Sequence, residues 1–118
     1  MGAAKLNLTI EQGATFRKSF TLKDKDTEAA INLTGWTISG KIRKELTDAA
    51  ALVTFTVSIS NQVSNTGQFV VELTAAQTAA LPYDAKNLYY YDIEALKADS
   101  DTDRLLQGRV EISPEVTK

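Results

Sequence analysis

The chain has 118 residues, 43% of them apolar, with 13 Lys and Arg against 15 Asp and Glu for a formal charge of −2. That is enough chain for one domain, too apolar for a disordered polymer, and too evenly charged for a general nucleic-acid binder, which needs a basic stripe to neutralise phosphates. Histidine and cysteine are both absent, which removes disulfides, thiolate nucleophiles, Ser-His and Cys-His dyads, haem attachment and the usual zinc ligand sets.

Hydrophobic alternation with a period of two dominates and predicts strands. Residues 5–10 place Leu6, Leu8 and Ile10 on one side, until Gly13 breaks the pattern. Residues 15–23 bring Phe16, Phe20 and Leu22 together, with Lys18 interrupting. The all-polar Asp24-Lys25-Asp26-Thr27-Glu28 reads as a hairpin tip, and Asn32-Leu33-Thr34-Gly35 as a turn. Residues 36–44 alternate cleanly, with Trp36, Ile38, Gly40 and Ile42 opposite Thr37, Ser39, Lys41 and Arg43. After a loop at 46–51, residues 52–60 set Val53, Phe55, Val57 and Ile59 against Thr54, Thr56 and Ser58. A polar connection ending at Gly67 leads into residues 68–73, with Phe69, Val71 and Leu73 inward. One short helix follows at 74–81: Thr74 and Gln77 have capping-box spacing, the alanines at 75, 76, 79 and 80 favour it, and Pro82 ends it. Residues 87–96 place Tyr89, Tyr91 and Ile93 on one face. A second polar tip, Ala98-Asp99-Ser100-Asp101-Thr102-Asp103, precedes a last strand at 104–113 with Leu106, Gly108, Val110 and Ile112 inward, closed by Pro114.

About seven antiparallel strands, each with one apolar face, and one short helix predict an all-β sandwich. Two such sheets hide their apolar faces only by closing on each other, which makes residues 1–118 a single domain. An immunoglobulin-like topology fits the order. The runs map onto strands A to G, Trp36 opens the third, and the helix lies between strands E and F, where that fold turns a corner. Tyr89 then stands where a tyrosine-corner hydrogen bond belongs, and Tyr91 stands where the second cysteine usually does. Packing must replace the missing disulfide; on the plainer reading, Trp36 and the tyrosines are simply core aromatics.

The longest wholly apolar stretch, Ala49-Ala50-Ala51-Leu52-Val53, is far short of the roughly 20 residues that span a bilayer, and the start lacks the apolar run of a secretory signal. We therefore expect no membrane partner and synthesis in a cytoplasm. Two glycosylation sequons begin at Asn7 and Asn32, both in or beside predicted strands.

Candidate chemistry is sparse. Asp99, Asp101 and Asp103 alternate as in the opening of a calcium loop, but Arg104 stands at its sixth position and Val110 at its twelfth, where glycine and glutamate belong. Asp24, Asp26 and Glu28 are a fainter copy. We expect no metal, with Asp99, Asp101 and Asp103 the candidate ligands if the tips hold an ion; otherwise they are solvated turns. Asp92 and Glu94 share a strand face, about 7 Å apart by strand geometry, and read as a solvated face rather than a glycosidase pair. Lys41, Arg43 and Lys44 form a basic patch suited to solubility or protein contact. The six glycines are scattered singly, so no loop cradles a phosphate. No catalytic or cofactor-binding residue emerges, and no interaction residue can be singled out. Exposed strand edges remain, and edges pair with other chains.

Several runs, in order, resemble small bacteriophage structural proteins. They are Leu8 to Phe16 (a strand, then Gly13, then an aromatic strand), Ile31 to Trp36, Gly40 to Lys44, Gly67 to Pro82, Tyr89 to Glu94 and Arg104 to Thr117. The set is similar to tail and baseplate proteins, and to the amino-terminal domain of baseplate upper proteins, which hold receptor-binding proteins on the virion. The resemblance implies an immunoglobulin-like building block of the virion with no catalytic residues and no cofactor. Its partners would be other virion proteins in symmetric multiple copies, not nucleic acid, membrane or a small-molecule substrate. Baseplate upper proteins continue into a receptor-protein-holding region, whereas this sequence stops at Lys118, which leaves accessory tail and neck roles open. Two other readings stand beside the tail adaptor: a capsid decoration protein, and a carbohydrate- or cell-surface-binding module using Tyr83 and Tyr90.

Overall fold

A computed structural model describes residues 4–45, 51–83 and 88–115. In chain order the elements are β1 (Ala4–Lys5), β2 (Leu8–Glu11), β3 (Phe16–Thr21), β4 (Thr37–Arg43), β5 (Val53–Thr54), β6 (Thr56–Ile59), β7 (Gln68–Leu73), α1 (Ala75–Ala79), β8 (Tyr89–Leu96) and β9 (Thr102–Ser113). One sheet runs β1/β2–β9–β8–β4–β5, and the other β3–β7–β6. The order is that of an immunoglobulin-like sandwich, with strands C, F and G in one sheet and B, E and D in the other. The loop expected at 46–51 lies almost wholly outside the described residues.

Two of the expected strands are each cut in two, for visible reasons. The first breaks at Leu6 and Asn7, where the chain lies parallel, not antiparallel, to β9. Leu6 N donates to Gln107 O at 3.0 Å, and Asn7 Oδ1 accepts from Arg109 N at 3.0 Å, so a side chain replaces one rung of the ladder. Gly108 permits this approach, because a Cβ there would fall 2.1 Å from Leu6 O. The kink also turns Leu6, expected inward, to 36% exposure. The fourth run breaks at Phe55, where the chain leaves one sheet for the other: β5 pairs with β4, and β6 pairs with β7. Phe55 is 4% exposed at this crossing and fills the space that Gly40 leaves.

The interior is closed by aromatic packing. Phe16 on β3, Phe55 at the crossing and Tyr91 on β8 form a chain with ring centroids 6.2 and 6.3 Å apart, spanning both sheets where immunoglobulin domains place a disulfide. Each such side chain contributes roughly 1.5–3 kcal/mol by burial. Trp36 packs half-buried against this core. Alternation fails once on β9: Ile93 pairs with Leu106 and Glu94 with Arg104, leaving Leu105 as the extra residue of a bulge. Leu105 thereby becomes core and Leu106 only half-buried.

The short helix is held at both ends. Gln77 N donates to Thr74 Oγ1 at 3.1 Å and Thr74 N donates to Gln77 Oε1 at 2.8 Å, completing the capping box. Thr78, fully buried, accepts from Gly13 N at 3.0 Å and donates to Ala14 O at 2.8 Å, tying the helix to the β2–β3 turn. Just beyond, the Tyr89 hydroxyl donates to Pro82 O at 2.6 Å, which is the tyrosine-corner bond read from the sequence.

Candidate functional site

Strand alternation sends the polar residues of β4, β8 and β9 to the outer face of their sheet, and the pairing lines them up in rows. Arg43, Tyr90 and Arg109 are cross-strand neighbours; so are Lys41, Asp92 and Gln107, and next Ser39, Glu94 and Arg104. Lys5 joins them from the edge strand. The result is a shallow trough of about 460 Å³, bordered by Lys5, Lys41, Arg43, Arg104 and Arg109 with Asp92 as its carboxylate.

Its cations are unequally satisfied. Arg104 contacts Asp92 at 3.5 Å and Glu94 at 3.9 Å, and donates to Gln107 Oε1 at 3.2 Å. Asp92 and Glu94 therefore act as half-exposed partners of an arginine, in keeping with a solvated face. Arg109 lies 4.0 Å above the Tyr90 ring, and its Nη2 donates to Leu88 O at 2.7 Å. Yet Arg109 Nε and Arg43 Nη1 are buried with no hydrogen-bond acceptor. A charged donor removed from water and left open costs about 1–3 kcal/mol or more. Guanidinium groups in this state are suited to carboxylate or phosphate oxygens, which they grip with paired N–H donors.

A family model described as LtfC-like, beta-sandwich domain matches residues 2–113. The chain belongs to this family. LtfC is a phage tail protein, so this is a phage β-sandwich domain. No curated protein matches the chain.

In this LtfC-like domain the two polar tips lie elsewhere, at the end of the sandwich where β4 begins and β8 ends. Asp99 Oδ1 accepts from Asp101 N at 3.0 Å, and Asp103 pairs with Lys97 at 3.2 Å. That hydrogen bond and charge raise the Lys97 pKa. On the other tip, Asp24 Oδ1 accepts from Thr27 N and Asp26 N, which holds the Asp24 carboxyl below its usual pKa. Of the candidate ligands Asp99, Asp101 and Asp103, Asp99 is thus engaged in a turn bond and Asp103 in an ion pair, and no cluster of three metal-ligating side chains forms among the described residues. Of the tyrosines considered for carbohydrate stacking, Tyr83 is half exposed after the helix, while Tyr90 carries Arg109 on one ring face. No helix among the described residues is long and apolar enough to cross a membrane.

Sequence reasoning found the Lys41 and Arg43 part of the trough and missed Lys5, Arg104 and Arg109. The missing step was pairing: these residues are far apart in the chain and become neighbours only once β9 is laid between β8 and the edge strands.

Proposed function

We propose that the chain is a non-enzymatic structural module of a phage virion, acting at the tail or baseplate as an adaptor or accessory protein bound to other virion proteins. Membership of the LtfC-like family over residues 2–113 carries this reading. The surface is consistent with it: the outer sheet face offers a cation-lined trough to a partner, and the short edge strands offer rims for contact. The mechanism is surface complementarity, with copies arranged by the symmetry of the particle.

Cryo-electron microscopy of the parent particle, with the chain labelled by an antibody or tag, tests the proposal directly. Label on the tail or baseplate supports it. Label spread over capsomers overturns it in favour of capsid decoration. A purified chain that binds glycans in an array and no virion protein overturns it in favour of a cell-surface-binding module.

A further inference from the structure

Two surfaces of this molecule carry opposite charge. The trough sits where β4 ends at Arg43 and β8 begins beside Tyr90, and holds five cations against one carboxylate. At the other end of the same strands Thr37 pairs with Leu96, and the connections at 22–36 and 97–101 emerge there. A Cβ on Gly35 would lie 3.4 Å from Ala98 Cβ, so the two connections meet at these residues. Over residues 23–28 and 97–103 six carboxylates stand against three lysines. Asp24, Asp99 and Asp103 are engaged by their own surroundings, whereas Asp26, Glu28 and Asp101 are exposed.

We propose that the acidic end of one copy seats in the basic trough of the next, so that copies of this chain associate head to tail. The inference rests on the reading of the chain as a virion building block, and it names one partner, a second copy. Carboxylates are the partners that the trough's cations, three of them arginines, are suited to grip. The trough is large for a single small anion: at about 30 Å³ per water it holds the equivalent of about fifteen waters, room for a turn with several side chains. Two different patches on one molecule make a heterologous contact, which closes into a ring or runs on as a helical array, the arrangements that an axially symmetric particle uses. Attraction between opposite charges in a small, polar contact is weak and salt-sensitive.

Sedimentation velocity on the purified chain tests this without any variant. The wild-type chain associates at millimolar concentration in low salt, and the association weakens about tenfold or more when screening shortens the Debye length to a few ångströms. Two charge-reversed forms then assign the surfaces. Arg43→Glu with Arg109→Glu removes the trough, and Asp99→Lys with Asp101→Lys removes the acidic end. Each form alone is monomeric and folded, with the far-ultraviolet circular dichroism of wild type. Mixed, they associate again, because the acidic end of one meets the intact trough of the other and the two reversed surfaces are themselves opposite in charge. A wild-type chain that stays monomeric overturns the inference. So does association that survives either reversal, or inorganic phosphate that shifts the trough resonances in NMR while the chain remains monomeric. In all three cases labelled particles still report whether the chain is a tail component, so failure here is distinct from failure of the proposed function.

Discussion

Tyr89, Tyr90 and Tyr91 are consecutive, and they divide the molecule into two regions with opposite treatment of buried polar groups. On the inner side, the Tyr89 hydroxyl donates to Pro82 O and the Tyr91 hydroxyl to Leu6 O, while buried Thr78 both accepts and donates. On the outer side, Tyr90 lies under Arg109, and the only buried side-chain nitrogens or oxygens without a partner among the described residues belong to Arg43 and Arg109. Against an interior satisfied so fully, two buried guanidinium nitrogens without acceptors stand out. The inner region is organised for stability, and the outer one keeps donors available at some cost to it.

The largest test of that division is at Phe55, whose ring meets Phe16 on one sheet and Tyr91 on the other. Phe55→Ala leaves a cavity at the crossing between β5 and β6 and costs about 3–5 kcal/mol in urea denaturation. A loss below about 1 kcal/mol would mean that the sheets are held together elsewhere. Next comes Tyr89→Phe, which leaves Pro82 O without its donor and costs about 1–3 kcal/mol. The same substitution at Tyr90, on the outer side, changes stability by less than about 0.5 kcal/mol. Equal losses at the two tyrosines would erase the distinction between the faces.

Alkaline pH probes the inner face again, through Tyr91. Burial raises its pKa to about 12, above the ordinary value of 10.0. Between those values the unfolded chain releases the proton while the folded chain keeps it. The Tyr91 contribution is therefore complete below pH 10 and is lost as pH climbs towards 12. Tyr91→Phe lowers stability at neutral pH, because Leu6 O loses its donor, and makes the decline between pH 10 and 12 shallower. Chemical denaturation across that range checks both effects, and an unchanged slope would place the Tyr91 hydroxyl in water.

The inner face was far more legible in the sequence than the outer one, and the reason is physical. Burial imposes the period of two, and capping and corner residues carry local signals, so the strands, the helix at Thr74 and the role of Tyr89 could all be read directly. The core residues that alternation did not place are Leu33, Leu81 and Leu105, which lie in a turn, after the helix and at a bulge, where the period lapses. The parallel pairing of β2 was also hidden, since one amphipathic strand reads alike in either direction. The trough left less trace: its rows, such as Arg43–Tyr90–Arg109, are set by register between distant segments, and charged residues on a wet face look alike until their neighbours are known.

A small effect of opposite sign is the most discriminating one. Arg43→Met keeps an unbranched stem to cover the sheet but removes the buried charge and its unpartnered Nη1. If the trough is open because a partner completes it, the isolated chain becomes more stable, by about 0.5–1 kcal/mol. The opposite sign is expected for interior substitutions such as Tyr89→Phe. Equilibrium denaturation of wild type and variant side by side measures it. A destabilisation of about 1 kcal/mol or more would show that Arg43 is satisfied in solution. The outer face would then be as structurally committed as the inner one. A gain in stability coupled to loss of association would instead identify the open donor as a feature kept for contact with another molecule.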